Sequence, residues 1–314
     1  MELLRLFARK QAGGLVALRT EAEKVRYVYG SPGDPARPAV LSYGEAQWRG
    51  DAASLARAYS EFGFARSARC ATLLNSGEYQ ISAVEAPEVP ESELKAAMRW
   101  RMKDVIDYPV EESVFDLLEI PAGQVGSARS HWVYVIAARS ELVRKYVQRF
   151  DEAKVPLAVI DIPETAQRNV TALYEQNGRG VGLLYFDDTG GLLTVTSGSE
   201  LYLARRFDFT MTQIREATDA DRDDLFGRIL VELQRTLDNF ERQNSQIMLS
   251  RIMLGPQPEP TALGAYLQSN FGVDVAEVAL HDVLDFRGAV PDAQAQWQFF
   301  HLIGCSIRSE TELR

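Results

Sequence analysis

The sequence is poor in the residues from which most catalytic and metal sites are built. It has two cysteines and three histidines among 314 residues. Cys70 and Cys305 lie far apart, each in apolar sequence, which predicts buried free thiols. His131, His281 and His301 share no metal-ligand spacing with one another or with the cysteines. Phosphate-loop and Gly-x-Ser-x-Gly patterns are absent, so no P-loop enzyme or serine hydrolase is indicated.

Excess positive charge and long apolar runs are also missing. The chain has 34 Lys and Arg against 44 Asp and Glu, a net charge of −10 that repels nucleic acid. No window reaches the roughly 18 apolar residues that span a bilayer. We therefore expect a soluble, cytoplasmic protein. Apolar residues between Leu3 and Phe7, beside Arg5, Arg9 and Lys10, either touch a membrane surface, pack on their own domain or stay disordered.

What the sequence does contain is a long alternation of strand and helix patterns. With 46% hydrophobic and 25% charged residues it reads as an ordinary globular chain, long enough for two lobes. From Glu78 to Ala153 the order is strand, helix, strand, strand, helix, enough for a compact subdomain. Near Gly178 three further strands begin, joined by the turns DDTGG and SGSE. We expect other strands at Leu15–Leu18, Val25–Tyr29, Ala39–Tyr43, Ala71–Leu74, Leu157–Ile162 and Ile247–Leu254, and helices at 51–62, 163–175, Asp221–Gln243, Thr261–Phe271 and 292–308.

The segment Glu91–Ile106 predicts an amphipathic helix with one unusual side chain. Leu94, Met98, Met102 and Val105 fall on one side of the helix, and Trp100 points about 160° away from the middle of that stripe. Two interpretations remain open. Trp100 packs under the turn from Asp107 to Pro109 or against a neighbouring strand, or it is an exposed aromatic anchor of the kind found in interfaces.

Several segments together resemble the PilM-type proteins of the FtsA and PilM actin-like superfamily, and within it the MshI-like members that serve MSHA pili. The resemblance covers about Leu15 to Arg308. It is strongest in PESELKAAMRWRMKDVIDYPVEESVFDLLEI, which begins at Pro90, and in VYVIAARSELVRKYVQRF, IDIPETAQRN, LVELQRTLDNFERQN and RIMLGP. It implies an actin-like (ribonuclease H-like) two-lobe ATPase fold, α/β in class. Lobe one would span 1–177 with an inserted subdomain at about 75–153, and lobe two would span 178–314.

The resemblance also implies where a nucleotide would bind, and two of three elements depart from the pattern. The first phosphate turn should carry an acid, but Val16, Ala17, Leu18, Arg19 and Thr20 stand there. The adenosine-side Gly-Gly is reduced to Gly255 followed by proline. The second phosphate turn survives in part, either as a phosphate cradle or as a plain hairpin turn. Its residues are Asp187, Asp188, Thr189, Gly190 and Gly191.

The function implied is that of a scaffold and not of an enzyme. PilM-type proteins bind the cytoplasmic N-terminal segment of a PilN-like (here MshJ-like) inner-membrane protein beside the inserted subdomain, and they contact the pilus assembly ATPase. We expect no catalytic residues, no metal and no required cofactor, with ATP as the one candidate ligand. The expected partner-binding residues are Arg99, Trp100, Arg101 and Lys103. The alternative is an active actin-like ATPase or a sugar-kinase relative that binds ATP.

Overall fold

The structure, a computed structural model, describes residues 14–21, 23–31, 33–64, 68–121, 131–176 and 178–308. The residues 3–10 discussed above lie outside these ranges. The strands are β1 Leu15–Glu21, β2 Lys24–Ser31, β3 Ala39–Gln47, β4 Arg69–Leu73, β5 Tyr79–Glu85, β6 Ser113–Ile120, β7 Trp132–Arg139, β8 Leu157–Asp161, β9 Gly180–Asp187, β10 Gly190–Ser197, β11 Glu200–Phe207, β12 Leu249–Leu254, β13 Val275–Glu277 and β14 Asp285–Phe286. The helices are α1 Ala52–Glu61, α2 Glu91–Arg101, α3 Ser140–Glu152, α4 Pro163–Ala172, α5 Met211–Glu216, α6 Asp219–Gln243, α7 Leu263–Asn270, α8 Leu280–Val283 and α9 Ala293–Ser306.

The chain divides into two compact units that differ from the division predicted at residue 177. One unit comprises Met1–Leu74, Val147–Asn169 and Ala279–Arg314, and the other comprises Asn75–Tyr146 and Val170–Val278. The last segment joins the first unit because β14 pairs with β3 and α9 packs on β1 and β2. The lobe boundaries themselves stay a prediction.

The first unit is built on a six-stranded sheet in the order β14-β3-β2-β1-β4-β8. Strands β1 to β3 are antiparallel neighbours, whereas β4 and β8 continue the sheet parallel to β1. The middle of β1 is apolar on both faces and is completely buried at Val16, Ala17 and Leu18. Cys70 on β4 and Cys305 on α9 are both buried free thiols, as predicted.

The pairing of β4 with β8 bears on the inserted subdomain. Cys70 pairs with Leu157, and Leu73 pairs with Asp161, in a parallel ladder. The chain therefore leaves this sheet after residue 74 and returns to it at residue 157, as an insertion at this point requires. An inserted subdomain at about 75–153 predicts that the segments on either side of it share one sheet, and they do.

The second unit holds a five-stranded sheet in the order β11-β10-β9-β12-β13. Its first three strands are antiparallel and the last two run parallel to β9, which repeats the arrangement of the first unit's sheet. The hairpins β9–β10 and β10–β11 lie where the two turn signals predicted them. Helix α6 turns an apolar stripe inward, with Leu225, Phe226, Ile229, Leu233, Leu237 and Phe240 buried.

A small antiparallel sheet, β5-β7-β6, completes the second unit. One face of β7 supplies Val133, Val135 and Ala137 to a core that α2 covers. On the opposite face, the Tyr134 hydroxyl accepts a hydrogen bond from the Ala204 amide at 2.9 Å and lies 3.3 Å from the Tyr202 carbonyl. These contacts attach the small sheet to β11.

The predicted elements exist, and their ends differ by a few residues. Helix α2 ends at Arg101 and continues as a tight 3-10 turn, because the chain must turn before Pro109. The Asp51 side chain caps α1 as expected, accepting from the Ser54 amide at 2.7 Å. Helix α5 was not predicted, although Thr210 and Gln213 form a capping box that is readable in the sequence. The short elements β13, β14 and α8 were also not predicted.

Candidate functional site

The helix α2 is held on the small sheet by a narrow apolar stripe. Leu94 is 6% exposed, and Met98 and Met102 are fully buried against the face formed by β7. The acids Glu91 and Glu93 occupy the first turn, and basic residues occupy the last, so the charges match the helix dipole. The stripe is narrow, so the remaining sides of α2 face solvent.

Trp100 lies on the solvent side of α2, with 74% of its surface exposed. This excludes the interpretation in which it packs under the following turn. The Lys103 ammonium lies 5.0 Å from the centre of the indole ring, and the Arg99 guanidinium lies 5.8 Å from the ring of Phe115 on β6. An exposed indole with a lysine ammonium beside it gains apolar burial and charge contacts when a partner covers it.

Arg101 has a different role from its neighbours in the predicted patch. Its Nη1 donates to the backbone oxygen of Glu85 at 2.6 Å, which ties the end of α2 to the edge strand β5. Lys95, nearer the start of the helix, pairs with Asp116 on β6, with 2.9 Å between its Nζ atom and the Oδ1 atom of Asp116. The helix is thus anchored to both edge strands, while Trp100 and Lys103 contact each other at its surface.

The predicted phosphate turn, residues 187–191, is a two-residue hairpin turn between β9 and β10. Asp187 Oδ1 accepts hydrogen bonds from the Thr189 amide at 2.7 Å, the Thr189 hydroxyl at 2.6 Å and the Gly190 amide at 3.1 Å. Asp188 accepts from the Thr212 hydroxyl at 2.8 Å. The amides that would cradle a phosphate already have an anionic acceptor within the turn.

Packing accounts for both glycines of this turn. Gly190 has a φ of +145°, and a Cβ added there would lie 2.5 Å from the Phe207 carbonyl oxygen. A Cβ at Gly191 would lie 2.6 Å from the ring of Phe186. Both positions therefore require glycine for the fold alone.

Gly255, the third predicted nucleotide residue, follows β12. Its amide donates to the Leu184 carbonyl at 2.7 Å, and a Cβ there would lie 2.9 Å from the ring of Tyr185. Its amide is engaged in the sheet, and the next residue, Pro256, has no amide hydrogen.

On β1, the positions that should carry a metal-positioning acid are inaccessible. Ala17 and Leu18 have no exposed surface. Arg19 pairs with Glu21 at 2.7 Å, and Thr20 is also buried. Within the described residues, no group of three or more His, Cys, Asp or Glu side chains is placed to hold a metal ion.

Sequence reasoning did not single out Asp161, a buried carboxylate of the first unit. Asp161, at the carboxyl end of β8, accepts from the Ile162 amide at 2.9 Å and pairs with Arg308 at 3.0 Å. Thr165 also donates to it. An Asp at a strand end followed by Pro163 and a helix is the available signal. Burial raises the pKa of the Cys70 and Cys305 thiols well above the ordinary value, which disfavours the nucleophilic thiolate form.

Known structures share this architecture across nearly the whole chain. A chain of a PilM–PilN type IV pilus biogenesis complex superimposes with a TM-score of 0.67 at 20% identity, covering 96% of this chain and 100% of its own. The chain has the actin-like fold of PilM. Its two large sheets share the strand order described above.

Weaker likenesses extend to two further proteins. The cytoplasmic domain of EpsL, an inner-membrane component of the type II secretion system of Vibrio cholerae, gives a TM-score of 0.45 at 13% identity, covering 90% of this chain and 93% of its own. A protein of Bacteroides thetaiotaomicron with an actin-like ATPase fold gives a TM-score of 0.48 at 10% identity. The match covers 88% of this chain and 94% of the Bacteroides chain. No protein-family model and no curated protein sequence matches the chain. In the described part of this PilM-like fold, no helix is long and apolar enough to cross a membrane.

Proposed function

We propose that this protein is a scaffold of type IV pilus assembly that works by binding other proteins. Its partner would be the cytoplasmic N-terminal segment of a PilN-like inner-membrane protein, which would hold it at the inner membrane from the cytoplasmic side. The observation that carries the proposal is the exposed Trp100 on a helix otherwise well anchored to its sheet. The PilM–PilN complex, which shares the fold, supports the choice of partner.

The finer assignment within this proposal is to the MSHA pilus. The opening GGLVALRTEAEKVRYV lacks the usual Asp-Ile-Gly start and resembles MshI-like proteins. The partner would then be MshJ-like, and the pilus assembly ATPase would be a second partner. Co-purification with MshJ-like and PilN-like proteins, each expressed separately, distinguishes the two assignments.

The nucleotide site is proposed to be degenerate. Three features support this: apolar buried residues on β1, the Asp187 carboxylate bound to the turn amides, and the engaged amide of Gly255. Phosphoryl transfer depends on positioned metal and donor groups, and each of these features removes one. We propose that the protein turns over no ATP.

The rival function, an active actin-like ATPase or sugar-kinase relative, makes an opposite prediction. Calorimetry with ATP and Mg²⁺ should then show tight, metal-dependent binding. Turnover above about 0.01 per second that Asp187→Ala or Asp188→Ala abolishes would establish this rival, since working phosphotransferases reach roughly 1 to 100 per second.

Peptide binding tests the scaffold proposal itself. Cytoplasmic peptides of PilN-like proteins encoded beside this chain should bind the wild-type protein, and Trp100→Ala should weaken binding roughly thirty- to a thousand-fold. Trp132→Ala is the matched control, because Trp132 is 43% exposed and lies on the opposite face of the same sheet. Equal binding by a folded Trp100→Ala protein would remove α2 from the partner surface.

A further inference from the structure

The strand β5 forms one edge of the small sheet. It pairs with β7 from Tyr79 to Glu85 and with no other strand of the described chain. Edge strands carry a row of backbone donors and acceptors that can pair with another extended chain. The composition of β5 does little to prevent this, since Ile81, Ser82 and Ala83 at its centre carry neither charge nor proline.

The hydrogen-bond pattern shows which backbone groups face outward. The Ala86 amide donates to the His131 carbonyl at 2.6 Å, which makes this a hydrogen-bonded pair of the ladder. Because pairs alternate in an antiparallel ladder, Val84, Ser82 and Gln80 bond to β7. Tyr79, Ile81, Ala83 and Glu85 turn their amides and carbonyls away from it. The bond from Arg101 to the Glu85 carbonyl confirms this alternation, because a side chain outside the sheet reaches that oxygen.

A cavity of about 320 Å³ lies along this edge. That volume is at the small end of the range for ligand pockets, so it suits a few side chains of a narrow segment and not a globular surface. Its lining comprises Ser76, Gly77, residues 79–82, Val105 and Arg206.

One residue of this lining, Gln80, has an unsatisfied side-chain atom. The side-chain oxygen of Gln80 is buried and has no hydrogen-bond partner. A buried acceptor without a donor is costly, and most such groups in native proteins find one. Arg206 is the charged residue of the lining, and its Nη2 donates to the Tyr79 hydroxyl at 2.6 Å. The cavity thus favours an occupant that brings an acidic or amide side chain to Arg206.

We propose that the open edge of β5 binds an extended segment of the membrane-protein partner as a fourth strand of the small sheet. This rests on the proposed function and specifies how the partner is recognised. The segment pairs with the outward amides and carbonyls of Tyr79, Ile81 and Ala83. It does not pair with the Glu85 carbonyl at the end of the edge, which already accepts a hydrogen bond from Arg101. One of its side chains enters the cavity between Val105 and Arg206 and accepts a hydrogen bond from Arg206.

Proline substitution separates this recognition mode from side-chain recognition. Ala83→Pro removes an outward amide and leaves the ladder to β7 intact, since proline is tolerated where an edge-strand amide faces solvent. The cytoplasmic peptide of the PilN-like partner should bind this variant about tenfold more weakly or worse. Ala83→Val keeps the amide and should bind within about threefold of wild type. Ser82→Pro removes a bond to β7 and should lower the melting temperature.

Hydrogen exchange on the wild-type protein gives an independent readout. Peptide binding should slow exchange at the Ile81 and Ala83 amides. Suppose that the peptide binds the wild type. Equal binding by a folded Ala83→Pro protein, or unchanged exchange at these two amides, would then overturn the fourth-strand mode and leave the scaffold function standing. Failure of every such peptide to bind the wild type would overturn the scaffold function and this mode with it.

Discussion

Arg308, just beyond the end of α9, lies 3.0 Å from the Oδ2 atom of Asp161 at the end of β8. The Asp161 side chain is 8% exposed and that of Arg308 is 29% exposed. The pair therefore joins the last helix of the first unit to its central sheet across 147 positions of the chain. Removing one member of a buried pair leaves the other without its counter-charge.

We predict that Arg308→Ala lowers the free energy of unfolding by about 2 to 4 kcal/mol, because Asp161 keeps its hydrogen bonds from Ile162 and Thr165 but loses its cation. Lys145→Ala is the matched control: its partner Glu141 is 2.8 Å away, but both side chains are well exposed. That change should cost at most about 0.5 kcal/mol. Denaturant unfolding measures both, and equal effects would show that the buried pair adds no more stability than the exposed pair.

Two large side chains on α2 should respond oppositely to truncation. Met98 has no exposed surface, so Met98→Ala should cost about 2 to 5 kcal/mol of stability. Trp100→Ala should change stability by no more than about 0.5 kcal/mol, since the side chain is 74% exposed. Thermal melting of the two variants checks this, and a large loss in Trp100→Ala would mean that the indole has a structural role.

Two turn glycines should differ in how well they tolerate a side chain. Gly178 has a φ of +69° with no atom close to an added Cβ, whereas Gly190 has a φ of +145°, which is more strained for other residues, and an added Cβ there would meet the Phe207 carbonyl. We predict that Gly178→Ala costs about 1 kcal/mol, and that Gly190→Ala costs about 1 to 3 kcal/mol more. Both values should be the same with and without ATP and Mg²⁺. Stabilisation of the wild type by nucleotide that Gly190→Ala removes would instead indicate a phosphate-binding turn.

The fold could be predicted to the extent that each element turns a single face inward. Helix α6 has one apolar stripe, and its position on a sheet follows from it. Helix α9 is buried almost all round from Phe299 to Ser306. The sequence of such a helix does not show which of its faces packs on a sheet, so its position on β1 and β2 could not be predicted. β13 and β14 have only three and two residues, too few to show alternation.

The candidate site was predictable where local geometry decides it. Helical spacing alone placed Trp100 outside the core stripe, and the structure has it exposed. The bond from Arg101 to Glu85 depends on the packing of α2 against an edge strand, which spacing does not specify. Glycine in a turn serves both phosphate loops and hairpins, so the contacts of Gly190 with Phe207 were needed to show its role in packing.

A pH prediction follows from the aromatic cluster under α1. Tyr59 is half-buried and its ring centre lies 5.1 Å from that of Phe64, and burial raises its pKa to about 12. The folded state thus holds the phenolic proton more tightly than the unfolded state does, because the pKa of a tyrosine hydroxyl in the unfolded chain is about 10. This contribution to stability is fully present below pH 10 and is lost as the pH rises through 12. Ultraviolet titration should show a tyrosine ionising near pH 12 that Tyr59→Phe removes. Its persistence in that variant would assign the late ionisation to another tyrosine.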